Sequence, residues 1–294
     1  FLCAIAIALV ASALPVGISF VCGVGVLVFY GIFSFILFGR HGIWIDVIGP
    51  FAGGILSYVS VISYRFSVEA KEKRWVKKAF SHYISKDIME EILKDPSKLS
   101  LGGQSRELTF LFSDIRGFTS YSEKHRPEEV VSILNEYLNE MSAIVFRHDG
   151  TLDKYVGDEI VVFFGAPVAQ ADHARRAVCV ALEMIAALKI LQEKWRSQGR
   201  DILDIGIGIN TGWVIVGNMG SMERMNYTAI GDAVNLASRI QGLTRTYNNH
   251  IIISEFTYAL VKDFFSFKPL EAIKVKGKEN PVMMYEVLGY SGKR

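Results

Sequence analysis

The sequence predicts an α+β domain, an α/β sandwich around a mixed and mainly antiparallel sheet, preceded by transmembrane α-helices. Three observations carry this. The chain has 294 residues and a formal net charge of +2, yet its first 64 residues contain only two formal charges, Arg40 and Asp46. Beyond residue 105, short β-branched and aromatic runs alternate with amphipathic helical runs, the pattern of a sheet covered by helices. Several of those runs are separated by tight glycine turns, which join antiparallel neighbours. The small net charge gives no footprint for a nucleic-acid partner. Three scattered cysteines (Cys3, Cys22, Cys179) form neither a CxxC pair nor a disulfide framework, which fits a reducing compartment for the polar part.

In chain order, residues 1–64 read as membrane. Residues 16–38 and 42–64 are apolar runs of 23 residues each, the second interrupted only by Asp46; about 20 residues suffice to cross the hydrocarbon core. Residues 1–14 are apolar up to Pro15 and read as a partial span. Because the chain opens on Phe1, it reads as part of a longer protein. Arg65, Lys71, Lys73, Arg74, Lys77 and Lys78 crowd the flank against only Glu69 and Glu72, which sets the following residues on the cytoplasmic side. The expected location is therefore the inner cell membrane, multi-pass, in contact with membrane lipid. Asp46, near a span end, is either an intramembrane functional group or an interfacial one, and Trp44 is an interface anchor. Residues 65–100 form a connecting helix, with Phe80, Ile84, Ile88 and Ile92 striping one face before Asp95-Pro96-Ser97 ends it.

The soluble domain spans 105–289. ELTFLFSDI (107–115) is a strand, and residues 127–147 follow the helical period with Pro127 in the first turn. TLDKYVGDEIVVFFG is two strands around a turn at Gly157-Asp158. Residues 171–198 form a long helix. DILDIGIGINTG and WVIVGNMG are expected as two strands joined at Gly212. A helix at 233–247 follows YTAIG, with Asp232 as its N-cap. IIIS, FSFKPL and MMYEVL complete the strands. The six histidines show no metal-ligand spacing and are expected on the surface or in loops.

Four stretches together carry chemistry: FSDIRGFT (112–119), DKYVGDEI (153–160), YTAIGDAVNLASR (227–239) and KVKGK (274–278). Asp114 and Asp158 each end a strand. If those strands are neighbours, both carboxylates reach one point and suit two Mg²⁺ or Mn²⁺ ions. The turn from Ile115 through Gly117, Phe118 and Thr119 offers backbone N–H groups to phosphate oxygens. Asn235 and Arg239, four apart on a helix, share a face, where an arginine can meet charge on a transferring phosphoryl group. Lys276 adds a cation for a polyphosphate tail.

These four motifs, in this order and spacing, resemble the class III nucleotidyl cyclases, the family of adenylyl and guanylyl cyclases. The resemblance implies that Asp114 and Asp158, with the backbone carbonyl of Ile115, hold two metal ions. Asn235 and Arg239 match the pair that stabilises the transition state, and Lys276 matches the lysine that binds the triphosphate. Lys154 occupies the position where adenylyl cyclases carry lysine. Thr228 occupies the second base-reading position, where threonine marks one bacterial subclass for adenine. The chemistry agrees: a lysine donates to adenine N1, and a threonine hydroxyl accepts from the adenine amino group. The resemblance implies attack of the ribose 3′-OH on the α-phosphate of ATP, giving 3′,5′-cyclic AMP and pyrophosphate. It also implies a homodimer whose metal aspartates and base-reading residues come from different subunits. Lys154 and Asp158 are about 13 Å apart along an extended strand, so one site need not use both. Membrane spans, a helix and a cyclase resemble bacterial sensor cyclases with a CHASE2-type extracytoplasmic domain.

Three rival readings remain. VGDEI resembles the GGDEF signature of diguanylate cyclases, but Val156 replaces a glycine and that family has no need of NLASR. A catalytically silent nucleotide-binding module normally lacks a metal aspartate or the Asn–Arg pair, all present here. A transporter or channel is poorly served by spans with no second ionisable residue to pair with Asp46.

Overall fold

The computed structural model describes residues 2–80, 101–221, 223–273 and 281–291, without the side chains of 72–80 and 273. The expected side-chain stripe from Phe80 to Ile92, the stop at Asp95-Pro96-Ser97, and Lys276 in KVKGK lie outside this description. The chain divides into two units, Phe1–Tyr83 and Ile84–Arg294.

The described residues of the first unit form three helices: α1 (Leu2–Ala13), α2 (Val16–His41) and α3 (Ile48–Phe80). Pro15, with φ −53°, separates α1 from α2, where a missing N–H costs nothing. Gly42 closes α2 in the left-handed region (φ 64°), its N–H bonding the carbonyl of Phe38 at 3.0 Å. Asp46 caps α3: its carboxylate accepts the N–H groups of Ile48 (3.0 Å) and Gly49 (3.2 Å). Its role in the described structure is thus to start a helix. Arg65 reaches back to the carbonyls of Ala11 (2.6 Å) and Leu14 (2.8 Å), satisfying the C-terminal end of α1. Val16–His41 and the Ile48–Lys71 part of α3 are long and apolar enough to cross a membrane. Large apolar side chains point outward, Phe35 at 78% and Trp44 at 80% exposure, as surfaces that meet lipid do.

The second unit is an eight-stranded mixed sheet with helices on both faces. Its elements are β1 (Gly102–Ile115), α4 (Phe118–Lys124), α5 (Pro127–Arg147), β2 (Thr151–Val156), β3 (Glu159–Phe164), α6 (His173–Ser197), β4 (Ile205–Gly220), β5 (Met225–Ile230), α7 (Asp232–Tyr247), β6 (Ile251–Ser254), α8 (Glu255–Val261), β7 (Phe265–Ile273) and β8 (Val282–Tyr290). The strand order is β2-β3-β1-β4-β6-β8-β7, with β5 paired to β4. Among the described residues, only the β4–β6 pair is parallel. The expected α+β class with a mixed, mainly antiparallel sheet is what the structure shows.

Alternation along β1 sets the two layers. Leu111 and Ile115 face a core filled by α5 (Ile133, Tyr137, Met141) and α6 (Val178, Met184, Trp195). Leu108, Phe110 and Phe112 face the opposite core, closed by Ala233 and Ala237 of α7. Successive side chains of a strand point to opposite faces, so Asp114, in phase with Phe110 and Phe112, belongs to the α7 face.

Three local expectations need correction. Gly212 is not a joint between two strands: β4 runs unbroken through it, with Gly212 opposite Leu108. A Cβ there would sit 2.9 Å from the Cβ of Ala233, so the glycine lets α7 lie close to the sheet. Gly231, not Asp232, occupies the N-cap position of α7, and Asp232 is its first helical residue, where a carboxylate suits the positive end of the helix dipole. His173 is not a surface histidine. Its Nδ1 lies 2.7 Å from the hydroxyl of Thr109, which continues to Thr211 at 2.8 Å inside the sheet.

Candidate active site

The β1–β3 ladder brings the two aspartates together. Ser113 is paired with Ile160, so Asp114 on β1 lies beside the turn before β3. Val156 pairs with Glu159, leaving Gly157-Asp158 as a two-residue hairpin turn. Gly157 adopts φ 66°, a conformation glycine reaches without strain at the first central position. Asp158 is thereby held against β1, and its Oδ2 accepts the Ile115 N–H at 3.2 Å. Asp114, Ile115 and Asp158, expected as one metal cluster, are neighbours in the structure. Gly117 (φ 68°) follows as the residue before α4, whose first residues are Phe118 and Thr119.

Arg116 shapes this turn from behind. Its backbone N–H bonds Asp204 O at 2.7 Å. Its guanidinium bonds the Asn248 side chain (3.1 Å) and the carbonyls of Asn249 (2.8 Å) and Thr244 (3.3 Å) at the end of α7. The basic residue inside FSDIRGFT therefore anchors the loop to the end of α7 and to Asp204.

Burial first, then a hydrogen bond and the like charge of Asp114, push the Asp158 pKa up to about 6. Glu159, which the sequence reading passed over, joins them. Burial first, then the charges of Asp114 and Asp158, push its pKa up to about 7. Arg245, also unanticipated, comes from the last turn of α7 and forms an ion pair with Asp114.

The proton balance gives a testable sign. In the metal-free fold, Asp158 and Glu159 keep protons up to about pH 6 and 7, whereas an unfolded carboxylate releases them near pH 4. Their contribution to stability is fully present below the unfolded value and is lost as pH rises through 6 to 7. A bound divalent ion must displace those protons. Mn²⁺ is therefore expected to raise the thermal midpoint of the full chain more at about pH 8 than at about pH 5.5. Equal shifts at the two pH values would contradict the carboxylate site.

A second grouping lies on β2 and β5. Lys154 is exposed, and Thr228, placed by pairing of β5 with β4 opposite Gly217, is half-buried. Both meet at Asp153: the Thr228 hydroxyl donates to Asp153 Oδ2 at 2.9 Å, and Lys154 Nζ is 3.5 Å from the same oxygen. Burial raises the Asp153 pKa, while Lys154 and Thr228 pull it back. The expected base-reading pair thus converges through a residue the sequence reading left unassigned. Asn235 and Arg239 form a third set, both exposed and one helical turn apart on α7.

Comparison with known proteins agrees with this geometry. Residues 103–289 match the family of adenylate and guanylate cyclase catalytic domains. The chain is 36% identical over 210 residues to adenylate cyclase 1 of Rhizobium meliloti, covering 71% of this chain and 32% of that protein. The chain thus spans about a third of that relative's length. Among solved structures, the adenylyl cyclase CyaB of P. aeruginosa superposes with a TM-score of 0.61 at 43% identity, covering 66% of this chain and all of that one. The guanylyl cyclase Cya2 does so with the same TM-score at 41% identity, covering 66% of this chain and 97% of that one.

Proposed function

Since the chain belongs to the family of adenylate and guanylate cyclase catalytic domains, we propose that it converts ATP to 3′,5′-cyclic AMP and pyrophosphate as a membrane-anchored homodimer. The carrying observation is the pairing of Lys154 with Thr228 on one carboxylate. Overall likeness does not separate the two bases, because an adenylyl and a guanylyl cyclase superpose equally well. The side chains at the base do. An ammonium donates to adenine N1 and a hydroxyl oxygen accepts from its amino group, whereas guanine presents the reverse pattern.

Asp114, Asp158 and the Ile115 carbonyl would hold two Mg²⁺ or Mn²⁺ ions. When bound, such ions supply Lewis acidity at the α-phosphate and lower the pKa of the ribose 3′-hydroxyl. The chain's own residues do the rest. The N–H groups from Gly117 to Thr119 face the phosphates, Asn235 orients the ribose, Arg239 meets the charge that develops at the α-phosphate, and Lys276 holds the leaving pyrophosphate.

The dimer reading rests on an uncovered apolar strip. Trp213 and Ile215 on β4 and Ile230, the β5 partner of Ile215, are 68%, 53% and 62% exposed. Large apolar groups clustered this way mark an interaction surface, and a second copy supplies a matching one. Residues 1–64 anchor the chain in the inner membrane against lipid, with the catalytic unit on the cytoplasmic side indicated by the basic flank after Arg65. Thr228 supports a reading in the threonine subclass, and the order of membrane spans, helix and cyclase supports a CHASE2-type sensor as the input.

The test is a change of base. Lys154→Glu with Thr228→Cys is expected to shift the kcat/KM ratio toward GTP by roughly tenfold or more. An unchanged ratio would remove the base-reading assignment.

A further inference from the structure

The observations at β2 extend the ATP reading, on which the following rests. Asp153 is the extra residue of a β-bulge: Leu152 pairs with Val162 and Lys154 with Val161, leaving Asp153 without a partner on β3. In a regular strand, residues 153 and 154 would point to opposite faces. A bulge re-aims one of them, and here the Asp153 carboxylate takes both the Lys154 ammonium and the Thr228 hydroxyl on one oxygen. The Asp153 side chain is only 7% exposed, although it carries a carboxylate. A buried charge is kept only where partners satisfy it, and its two partners are the two residues assigned to the base.

We propose that Asp153 is a specificity-positioning residue, which fixes the hydrogen-bond polarity of Thr228 and the place of Lys154 so that the site reads adenine. An ionised carboxylate only accepts. With 2.9 Å between Thr228 Oγ1 and Asp153 Oδ2, the hydroxyl proton is committed to Asp153. The Thr228 oxygen then offers lone pairs alone to the nucleotide. That suits the adenine 6-amino group and mismatches guanine O6, itself an acceptor. A threonine with a free rotor would serve either base. The same carboxylate oxygen draws in Lys154 at 3.5 Å and restrains its flexible stem. The carboxylate sits on β2 and acts through the hydroxyl of Thr228 on β5.

The experiment is kcat/KM for ATP and for GTP, with equilibrium competition of the two nucleotides, on the full chain as wild type and Asp153→Asn. An asparagine amide can donate to Thr228 Oγ1 and release its proton toward the base. The ATP-to-GTP ratio is expected to fall roughly tenfold in both readouts. In a Thr228→Val background, Asp153→Asn is expected to lower the ratio clearly less than in the wild type, because the part of the effect that runs through the hydroxyl is gone and only the hold on Lys154 remains; an equal fall in both backgrounds would overturn the hydroxyl route. Should Asp153→Asn not fold, Asp153→Ala frees the same rotor and carries the same expectation. A wild type that prefers ATP, with equal losses on both nucleotides in the variant, would overturn the role of Asp153 and leave the ATP reading standing. A wild type that prefers GTP would overturn both.

Discussion

Asparagine at position 114 is expected to lower cyclic AMP formation by on the order of 10³-fold while the catalytic unit stays folded. Asp114 is the last polar residue of β1, in which Leu108, Phe110, Leu111, Phe112 and Ile115 fill the two cores. Its own carboxylate supports no core contact. It faces Asp158 and Arg245 instead. Asparagine keeps the shape and removes the charge, so the thermal midpoint without metal should change little. The stabilisation by Mn²⁺ should shrink together with activity. Turnover near the wild-type level in a folded Asp114→Asn protein would remove the metal assignment of this cluster.

Alanine at Arg239 is expected to cost a comparable factor, roughly 10³-fold, through loss of a cation that meets transition-state charge. Arg239 is exposed on α7, so fold and Mn²⁺ stabilisation should persist. The two variants then distinguish a composite site from a self-contained one. If each site takes its aspartates from one subunit and its arginine from the other, neither variant works alone. Co-assembled one to one, they restore one complete site in half of the dimers, about a quarter of wild-type activity. The absence of any recovery from a mixed dimer would show that both residues serve the same subunit's site.

Local chemistry explains which parts of this arrangement were legible in the sequence. The turn at Gly157-Asp158 was readable because a glycine-led two-residue connection between apolar runs has few alternatives. The helix from Pro127 to Arg147 carried both its start signal and its period. Gly212 misled because a glycine within a strand reads equally as a turn or as a close approach, and only Ala233 on α7 decides which. Arg245 is an ordinary last-turn cation until the alternation of β1 puts Asp114 on the α7 face. Asp153 was hidden twice. Its neighbour Lys154 drew the functional reading, and the bulge that lets Asp153 take both Lys154 and Thr228 depends on a register that neither strand states alone. In the first unit, Asp46 resolved into a helix cap two residues before α3.

The most direct test of the central claim is a product assay on the full chain in membranes or detergent. ATP and GTP are supplied separately with Mg²⁺ or Mn²⁺ across a range of protein concentrations, and products are identified by mass. The expected result is cyclic AMP and pyrophosphate from ATP, with specific activity rising with protein concentration as the shared site assembles. Cyclic GMP as the main product, a linear or cyclic dinucleotide, or no product from a folded dimer would contradict it.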